Sequence, residues 1–553
     1  MENLNEILEK FDFRSMSKGQ LSFFVGSGIS YDSGLPSVNE FIKEILLKMV
    51  NQEDAERILK KDIAFEVYME FLNNESAELL KVYDCGIPNS NHVLMAKLAK
   101  QGFLGSIYTT NFDELIEKAM IDEGMVENRD YKVYRTEKDL ENSLNDENIL
   151  KIYKIHGCIS NVDSLKHTIK NVANQNNLEI RAKVLEDMLY NDDSLIFMGY
   201  SFSDFYDINP IFKKCSNLEK KIAVVNHSKS DVSKKEFLKS YDFHEVFMDT
   251  NEFVKTIWEL YSENIGGYTD LSFKNNEWKI KIKIWSKNVE SRLKNYVISQ
   301  FLRNVGEWDL SENYSLKALF SENIIERLCA LEFYAQKNLK IGKHTQVEKI
   351  CLGALDHIKL LINELKSQNT DKEVLKHIYA FQLPFYITIS TSYLETKRYI
   401  EAKPILDKAL VVAKNMNNNS EYCILPNYSE YFFRIGYYCH ALTINFKLES
   451  YYRNSGELYA YIQTLRHVYE CYSKLGLEHM GLKYLMDAKN SLVELKDPRT
   501  LILEAYINAL LLKSDLYFPA DINCDEKDPY AKQLLFRNLM FFKRDILKNK
   551  LLK

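Results

Sequence analysis

Five short apolar runs, each ending in small or polar residues, set the pattern of the first 260 residues. Leu21–Val25 leads into Gly26-Ser27-Gly28-Ile29-Ser30 and on to Ser33-Gly34-Leu35-Pro36. Residues 103–108 lead into Thr109-Thr110-Asn111-Phe112-Asp113, and 149–155 into His156-Gly157. Ser194–Met198 leads into Gly199-Tyr200-Ser201, and 222–225 into Asn226. Such runs predict strands buried on both faces, as in a parallel sheet. The expected fold is α/β, with a Rossmann-like parallel sheet in the N-terminal domain. Ligands of such sheets bind beyond the carboxyl ends of the strands, where these polar clusters would meet. After His156-Gly157 comes a polar loop, then a predicted helix over 178–189 with Ile180, Val184, Leu185 and Met188 on one face.

Beyond residue 260 the pattern changes. The polar stretch 262–267, Ser-Glu-Asn-Ile-Gly-Gly, breaks the preceding helix and is the expected linker. Residues 278–285, Trp-Lys-Ile-Lys-Ile-Lys-Ile-Trp, alternate with period two. That fits a strand, and equally the start of a helix with snorkelling lysines; a basic patch for phosphate is a further reading. From about residue 290 the periodicity is helical. Tyr393, Ala402, Leu406 and Ala409 recur as Tyr472, Gly481, Leu485 and Ala488 at a constant offset of 79 residues. That offset is about two repeats of roughly 34–42 residues. The segment resembles a tetratricopeptide repeat, so an all-α, repeat-like C-terminal domain is expected, with a concave protein-binding surface. The aromatic run Tyr431, Phe432, Phe433, Tyr437 and Tyr438 suits contact, but at helical spacing reads first as core. The expected domains are 1–265, a connecting element over 266–289, and 290–553.

The clusters of the first half carry the chemistry. Gly26 and Gly28 suggest a turn with positive φ that brings backbone close to a ligand and frees N–H groups to face a pyrophosphate. Asn111 offers a neutral amide to a water or a ribose. Asp113 can orient a carboxamide or stabilise positive charge, and before Glu114-Leu115-Ile116 it also suits a helix N-cap. His156, with an ordinary pKa near about 6.5, suits a base at neutral pH.

These motifs resemble the sirtuin family, whose sequences carry a Gly-Ala-Gly-Ile-Ser…Ser-Gly-Ile-Pro turn, then Asn-Ile-Asp, His-Gly, Gly-Thr-Ser and an apolar pair with Asn. This chain has the five in the same order over roughly residues 15–260. The resemblance implies NAD as substrate. Asn111 and His156 would act in catalysis and Asp113 would contact nicotinamide. Gly26, Ser27, Gly28, Ser30, Pro36, Gly199, Ser201 and Asn226 would line the dinucleotide.

Two departures shape the expected activity. Protein-deacylating sirtuins carry two Cys-x-x-Cys pairs holding zinc after the His-Gly; residues 159–198 here contain no cysteine, so no zinc or other metal site is expected. Where a peptide-pairing strand would follow Gly-Thr-Ser, this chain has Phe202-Ser203-Asp204-Phe205-Tyr206-Asp207. The Gly-Tyr-Ser-Phe-Ser-Asp segment looks like the sirtuin-like domains of bacterial anti-phage defence proteins. That likeness implies NAD hydrolysis to nicotinamide and ADP-ribose in abortive infection, with a cyclic product left open. It also implies a homo-oligomer, restrained through the helical half and activated there by a phage or stress-derived protein. A zinc-free NAD-dependent deacylase and a non-catalytic NAD or ADP-ribose sensor are the alternatives.

Composition narrows the partners. The balance of 78 acidic and 72 basic residues argues against an obligatory nucleic-acid partner. No apolar run reaches the roughly 20 residues that span a bilayer, and the N-terminus is acidic and helix-like without a signal peptide, so neither membrane nor export is expected. The scattered 9 cysteines suit a reduced, cytoplasmic setting, with Cys158 read as buried.

Overall fold

The seven strands described in the N-terminal half all run parallel, in the order β3-β4-β2-β1-β5-β6-β7. They are β1 (Leu21–Val25), β2 (Leu104–Thr109), β3 (Tyr131–Tyr134), β4 (Leu150–Lys154), β5 (Ser194–Met198), β6 (Lys221–Asn226) and β7 (Asp242–Phe247). The architecture comes from a computed structural model. It describes residue 19 and residues 21–513, apart from 62, 73–74, 144–148, 193, 205, 216–220, 227–237, 240, 291–293, 369–370, 417–418 and 493–496. The N-terminal segment read as helix-like lies outside the described residues. The chain divides into two compact units, Met1–Asn288 and Val289–Lys553.

In the first unit, alternate strand residues enter two cores. Phe23, Val25, Ile107, Ile152, Ile196, Met198, Ala223 and Val225 share one core with helices Ser90–Lys100, Leu115–Asp122 and Thr250–Leu260. Phe24, Tyr108, Tyr153, Leu195, Phe197, Ile222 and Val224 share the other with helices Gln175–Asn191 and Ile208–Lys214. The expected apolar face of the first of these two helices is present: Val184, Leu185 and Met188 are buried and Ile180 partly so. Rings of register partners on that face stack from strand to strand. Tyr134 lies 5.2 Å from Tyr153, Tyr153 4.7 Å from Tyr108, Tyr108 6.4 Å from Phe24, and Phe24 4.9 Å from Phe197. Each such pair adds about 0.5–1.5 kcal/mol beyond its burial.

The helix Glu277–Glu290 settles the alternating stretch. Trp278, Ile282 and Trp285 are buried while Ile280 and Ile284 are 59% and 53% exposed, a helical stripe rather than a strand face. Its Lys281 donates to the Lys81 carbonyl at 2.9 Å and Trp285 Nε1 to Glu75 at 3.1 Å. Residues 266–276, expected as connecting chain, are laced to the turn after β1 and to the start of helix Ser90–Lys100. Phe273 N–H donates to the Asp32 carbonyl at 2.7 Å, and Leu271 N–H to Ser90 Oγ at 2.7 Å.

The second unit is built from antiparallel helix hairpins: Ile324–Lys340 with His344–Ser367, Gln382–Glu395 with Tyr399–Met416, Leu425–Arg434 with Tyr438–Ser455, and Leu458–Lys474 with Glu478–Leu492. The 79-residue offset spans two hairpin repeats. Buried Ala402, Ala441 and Gly481 fall 39 and 40 residues apart, as do Leu406, Asn445 and Leu485. A Cβ on Gly481 would meet Tyr472 Cβ at 3.0 Å, so the smallest side chain sits where the two helices approach. Tyr431, Phe432 and Phe433 are partly buried against these cores, and Tyr437 is 56% exposed. Lys397, Gly436 and Gly476 occupy the matching turns, all with positive φ.

Gly476 has φ 75° and nothing within 4 Å of an added Cβ, so Gly476→Ala isolates the backbone term of this turn. It is expected to lower unfolding free energy by about 1 kcal/mol, the left-handed penalty for a Cβ-bearing residue, measured by urea denaturation.

Candidate active site

Because the strands are parallel and in register, every cluster predicted from the sequence lies along one edge of the sheet. The order along that edge is His156 after β4, Asn111 and Asp113 after β2, Gly26 to Ser30 after β1, Gly199 and Ser201 after β5, and Asn226 at the end of β6. With strands spaced about 4.8 Å, this edge extends over roughly 19 Å. Asn111 and His156 each stand two residues past the register pair Thr109↔Lys154, so they are neighbours on adjacent strand ends. Both are buried.

The glycines after β1 act differently from expectation. Neither Gly26 nor Gly28 has positive φ. Their lack of a side chain serves close approach instead: a Cβ on Gly26 would lie 2.6 Å from the Gly199 carbonyl, and one on Gly28 2.7 Å from Gly199 Cα. Their amides are also engaged, Gly26 N–H to Met198 O at 3.1 Å and Gly28 N–H to Gly199 O at 2.9 Å. These two N–H groups therefore tie β1 to β5 and are not presented to a phosphate. Positive φ occurs across the contact, at Gly199 (60°). Ser27, Gly28 and Ser201 are exposed at this rim, whereas Pro36 is buried before helix Val38–Met49.

Ser30 is the hub of a first network. Its hydroxyl donates to Asp113 Oδ2 at 3.0 Å and accepts from Asn111 Nδ2 at 3.3 Å. With its proton used on Asp113, Ser30 accepts from His92 Nε2 at 3.2 Å. Burial, opposed by Asp113, lowers the His92 pKa to about 4, so this imidazole is neutral. Asp113 Oδ1 accepts the Leu115 N–H at 3.1 Å at the start of helix Leu115–Asp122, the helix-end role suggested for it, while Oδ2 holds Ser30. Beneath it the buried Lys154 ammonium donates to the Asp113 carbonyl and lies 3.6 Å from Glu117. Asn111 Oδ1 is left as a buried acceptor with no partner among the described residues.

His156 heads a second network. Its Nε2 lies 3.0 Å from Asp207 Oδ2, which also accepts from Arg181 Nη1 at 2.8 Å, while Asp207 Oδ1 takes the Ile208 N–H at 2.9 Å. Burial pulls the His156 pKa down, but Asp207 outweighs it and the net shift is upward. Burial raises the Asp207 carboxyl, and His156 with Arg181 overturns that, holding it below the ordinary range. Gly157, φ 81°, locks the turn: a Cβ there would meet the Ser164 carbonyl at 2.2 Å. Asn226 donates to Glu245 on β7.

Two clusters have metal-ligand chemistry, each with its ligand atoms within 4.8 Å: His156 with Asp204 and Asp207, and Glu114 with Glu117 and buried Cys158. Arg181 compensates the first and Lys154 the second, so both read as ion-pair networks. Sequence reasoning missed His92 and Arg181 and gave Asp207 no role. The available signals were small: a buried-helix arginine beside the apolar stripe at Ile180, and a helix-capping aspartate after the Gly-Tyr-Ser turn.

The fold and edge define a parallel, doubly wound α/β domain. Residues 105–245 match the sequence model of the SIR2-like domain. It is similar to the NAD(+) hydrolase ThsA of Acinetobacter baumannii (strain 532279), 24% identical over 197 residues, which cover 34% of this chain and 38% of that protein. It is likewise similar to the NAD(+) hydrolase ThsA of Cytobacillus dafuensis, 26% identical over 209 residues, covering 36% and 39%. The match thus spans under two-fifths of either relative. Among solved structures, that of "The Structural basis for Sirtuin Substrate affinity" aligns at 18% identity and TM-score 0.24, over 46% of this chain and 97% of that one.

Asp207→Asn removes the carboxylate that serves His156 and Arg181, and is expected to cost about 3–5 kcal/mol, as for a broken buried pair. The His156 part has a defined pH window. It is fully present between the ordinary carboxylate value of 3.8 and the ordinary imidazole value of 6.5, and fades as pH falls through the lowered carboxyl or rises through the raised imidazole. Denaturation from pH 4 to 9 should show the stability difference between wild type and variant shrinking above neutrality. Gly199→Ala is expected to cost roughly 2–5 kcal/mol, from a left-handed φ plus a 2.5 Å clash with Ile29 N.

Proposed function

We propose that the N-terminal unit cleaves the nicotinamide–ribose bond of NAD and delivers ADP-ribose to water. The observation that carries this reading is the unpartnered Asn111 Oδ1, a buried acceptor on a side chain already fixed through Nδ2 to Ser30. A water or ribose hydroxyl donating to it would be held next to the strand end that carries His156. The leaving nicotinamide is neutral once it takes the bonding electron pair, so the site needs positioning, negative potential near the anomeric carbon, and a base. Asn111 supplies position, Asp113 supplies charge, and His156 is the base, with Nε2 held by Asp207 and Nδ1 left for the proton. Ser27, Gly28, Ser201 and Asn226 would follow the dinucleotide toward β6, and Pro36 shapes the entry to the turn. The names of the ThsA relatives agree with this chemistry.

In the wider reading the chain is a cytoplasmic effector of bacterial anti-phage defence. Its helical unit restrains the catalytic unit within a homo-oligomer until a phage or stress-derived protein binds. No helix among the described residues is long and apolar enough to cross a membrane. An unrestrained NAD hydrolase would exhaust its own cell, so a ligand must favour one of two states by differential affinity.

Nicotinamide release by the purified full chain, alone and with phage proteins, tests the proposal. Asn111→Ala and His156→Ala are each expected to lower the rate by about 10²-fold or more. Equal NAD loss in wild type and both variants would contradict the site.

A further inference from the structure

Along β4, Ile152 and Lys154 turn to the face covered by helix Leu115–Asp122, and Tyr153 to the opposite one. Lys154 is 1% exposed, a burial that lysine tolerates only with partners. Its ammonium lies 3.6 Å from Glu117 Oε1 and donates a hydrogen bond to the Asp113 carbonyl. Neither Glu117 oxygen has a hydrogen-bond partner among the described residues, and Glu114 is served elsewhere, by Ser160 Oγ at 2.8 Å and Arg135 at 3.6 Å. The ion pair therefore compensates charge, while the directed bond goes to the backbone of the loop after β2. As a source of stability such a pair is weak, since apolar residues of similar volume do as well. Its position suggests another use. Lys154 precedes His156 by two residues on β4, and its register partner Thr109 precedes Asn111 by two on β2. Backbone joins the two strand ends at Ile155 N–H to the Thr109 carbonyl and at Ile159 N–H to the Phe112 carbonyl, each 2.9 Å. Asp113 lies beyond the second of these bonds, and the Lys154 ammonium reaches it from beneath.

We propose that Lys154 is a positioning residue for NAD cleavage: its ammonium clamps the Asp113 peptide to the strand that carries His156, and so sets the spacing between the Asn111 amide and the imidazole base. The inference rests on the NAD-cleavage reading. Through Asp113 Oδ2 the clamp reaches the Ser30 hydroxyl, and through Ser30 it reaches Asn111 Nδ2. Without it the loop after β2 keeps its strand register but loses the tie at its far end. A displacement of about 1 Å at a reacting centre costs on the order of 10²-fold in rate, so a clamp of this kind acts on turnover rather than on binding.

The test compares the full-length variant Lys154→Met with the double variant Lys154→Met/Glu117→Leu, which removes both charges and keeps the volume. The single variant leaves Glu117 uncompensated and should melt well below wild type, and the double should recover most of that loss. Both should lower kcat by about tenfold or more with KM within about twofold, because Ser27, Ser201 and Asn226, assigned to the dinucleotide, are untouched. Hydrogen exchange over residues 111–115 should be faster in the double variant, since the Leu115 N–H is bonded to Asp113 and the Asn111 N–H to Thr109 in wild type. Where wild type cleaves NAD, a folded double variant with wild-type kcat overturns the clamp, and so does wild-type exchange over these residues. Reductive methylation of the native wild-type chain should leave Lys154 unlabelled; labelling as ready as that of exposed lysines overturns the clamp whether or not the variants fold. Faster exchange in the double variant of a chain that leaves NAD intact in every form overturns the NAD reading, while the Lys154 clamp stands.

Discussion

Where the turn after β1 meets the turn after β5, two backbones touch with no side chain between them. Gly26 and Gly28 on one side and Gly199 on the other leave no room for a Cβ, and the Gly26 and Gly28 amides bond across to Met198 and Gly199. This contact lies where the strand order departs from β1 in opposite directions, the place where open parallel sheets bind ligands. It sets the height of the Ser30 turn relative to the strand ends. Ser30 in turn holds Asn111 and Asp113, so a backbone constraint becomes a side-chain arrangement.

Charge compensation maintains the second half of the site. Asp204, Asp207 and the His156 imidazole crowd the loops after β4 and β5. Arg181, reaching in from helix Gln175–Asn191, steadies Asp207, and Asp207 steadies His156. The two networks share no hydrogen bond between Asn111 and His156 among the described residues. They are joined by sheet register, which gives a ligand spanning both a fixed frame.

What the sequence revealed and what it hid divide along physical lines. Leu21–Val25 and Ser194–Met198 were legible to the residue because strands buried on both faces are continuous apolar runs. The edge strands β3 and β7 were not: Tyr131–Tyr134 has four residues, and Asp242–Phe247 mixes charge with apolar positions. The glycine turn was recognised, but its reason was misread, since close approach to Gly199 is a tertiary fact and positive φ a local guess. His92 and Arg181 escaped notice because each sits in an ordinary helical stretch, and only the fold brings it to the strand ends. In the helical unit the repeat was visible only at double its period, because the middle hairpin replaces Leu406 and Leu485 with Asn445, a buried polar residue.

The most direct measurement is the crystallographic position of NAD bound to the full-length His156→Ala chain. The account predicts the dinucleotide lying across the carboxyl ends of β2, β1, β5 and β6, with a ribose hydroxyl or an ordered water donating to Asn111 Oδ1 and the adenosine end toward Asn226. NAD lodged away from that edge, or an Asn111 carbonyl that stays unpartnered with NAD bound, would contradict it.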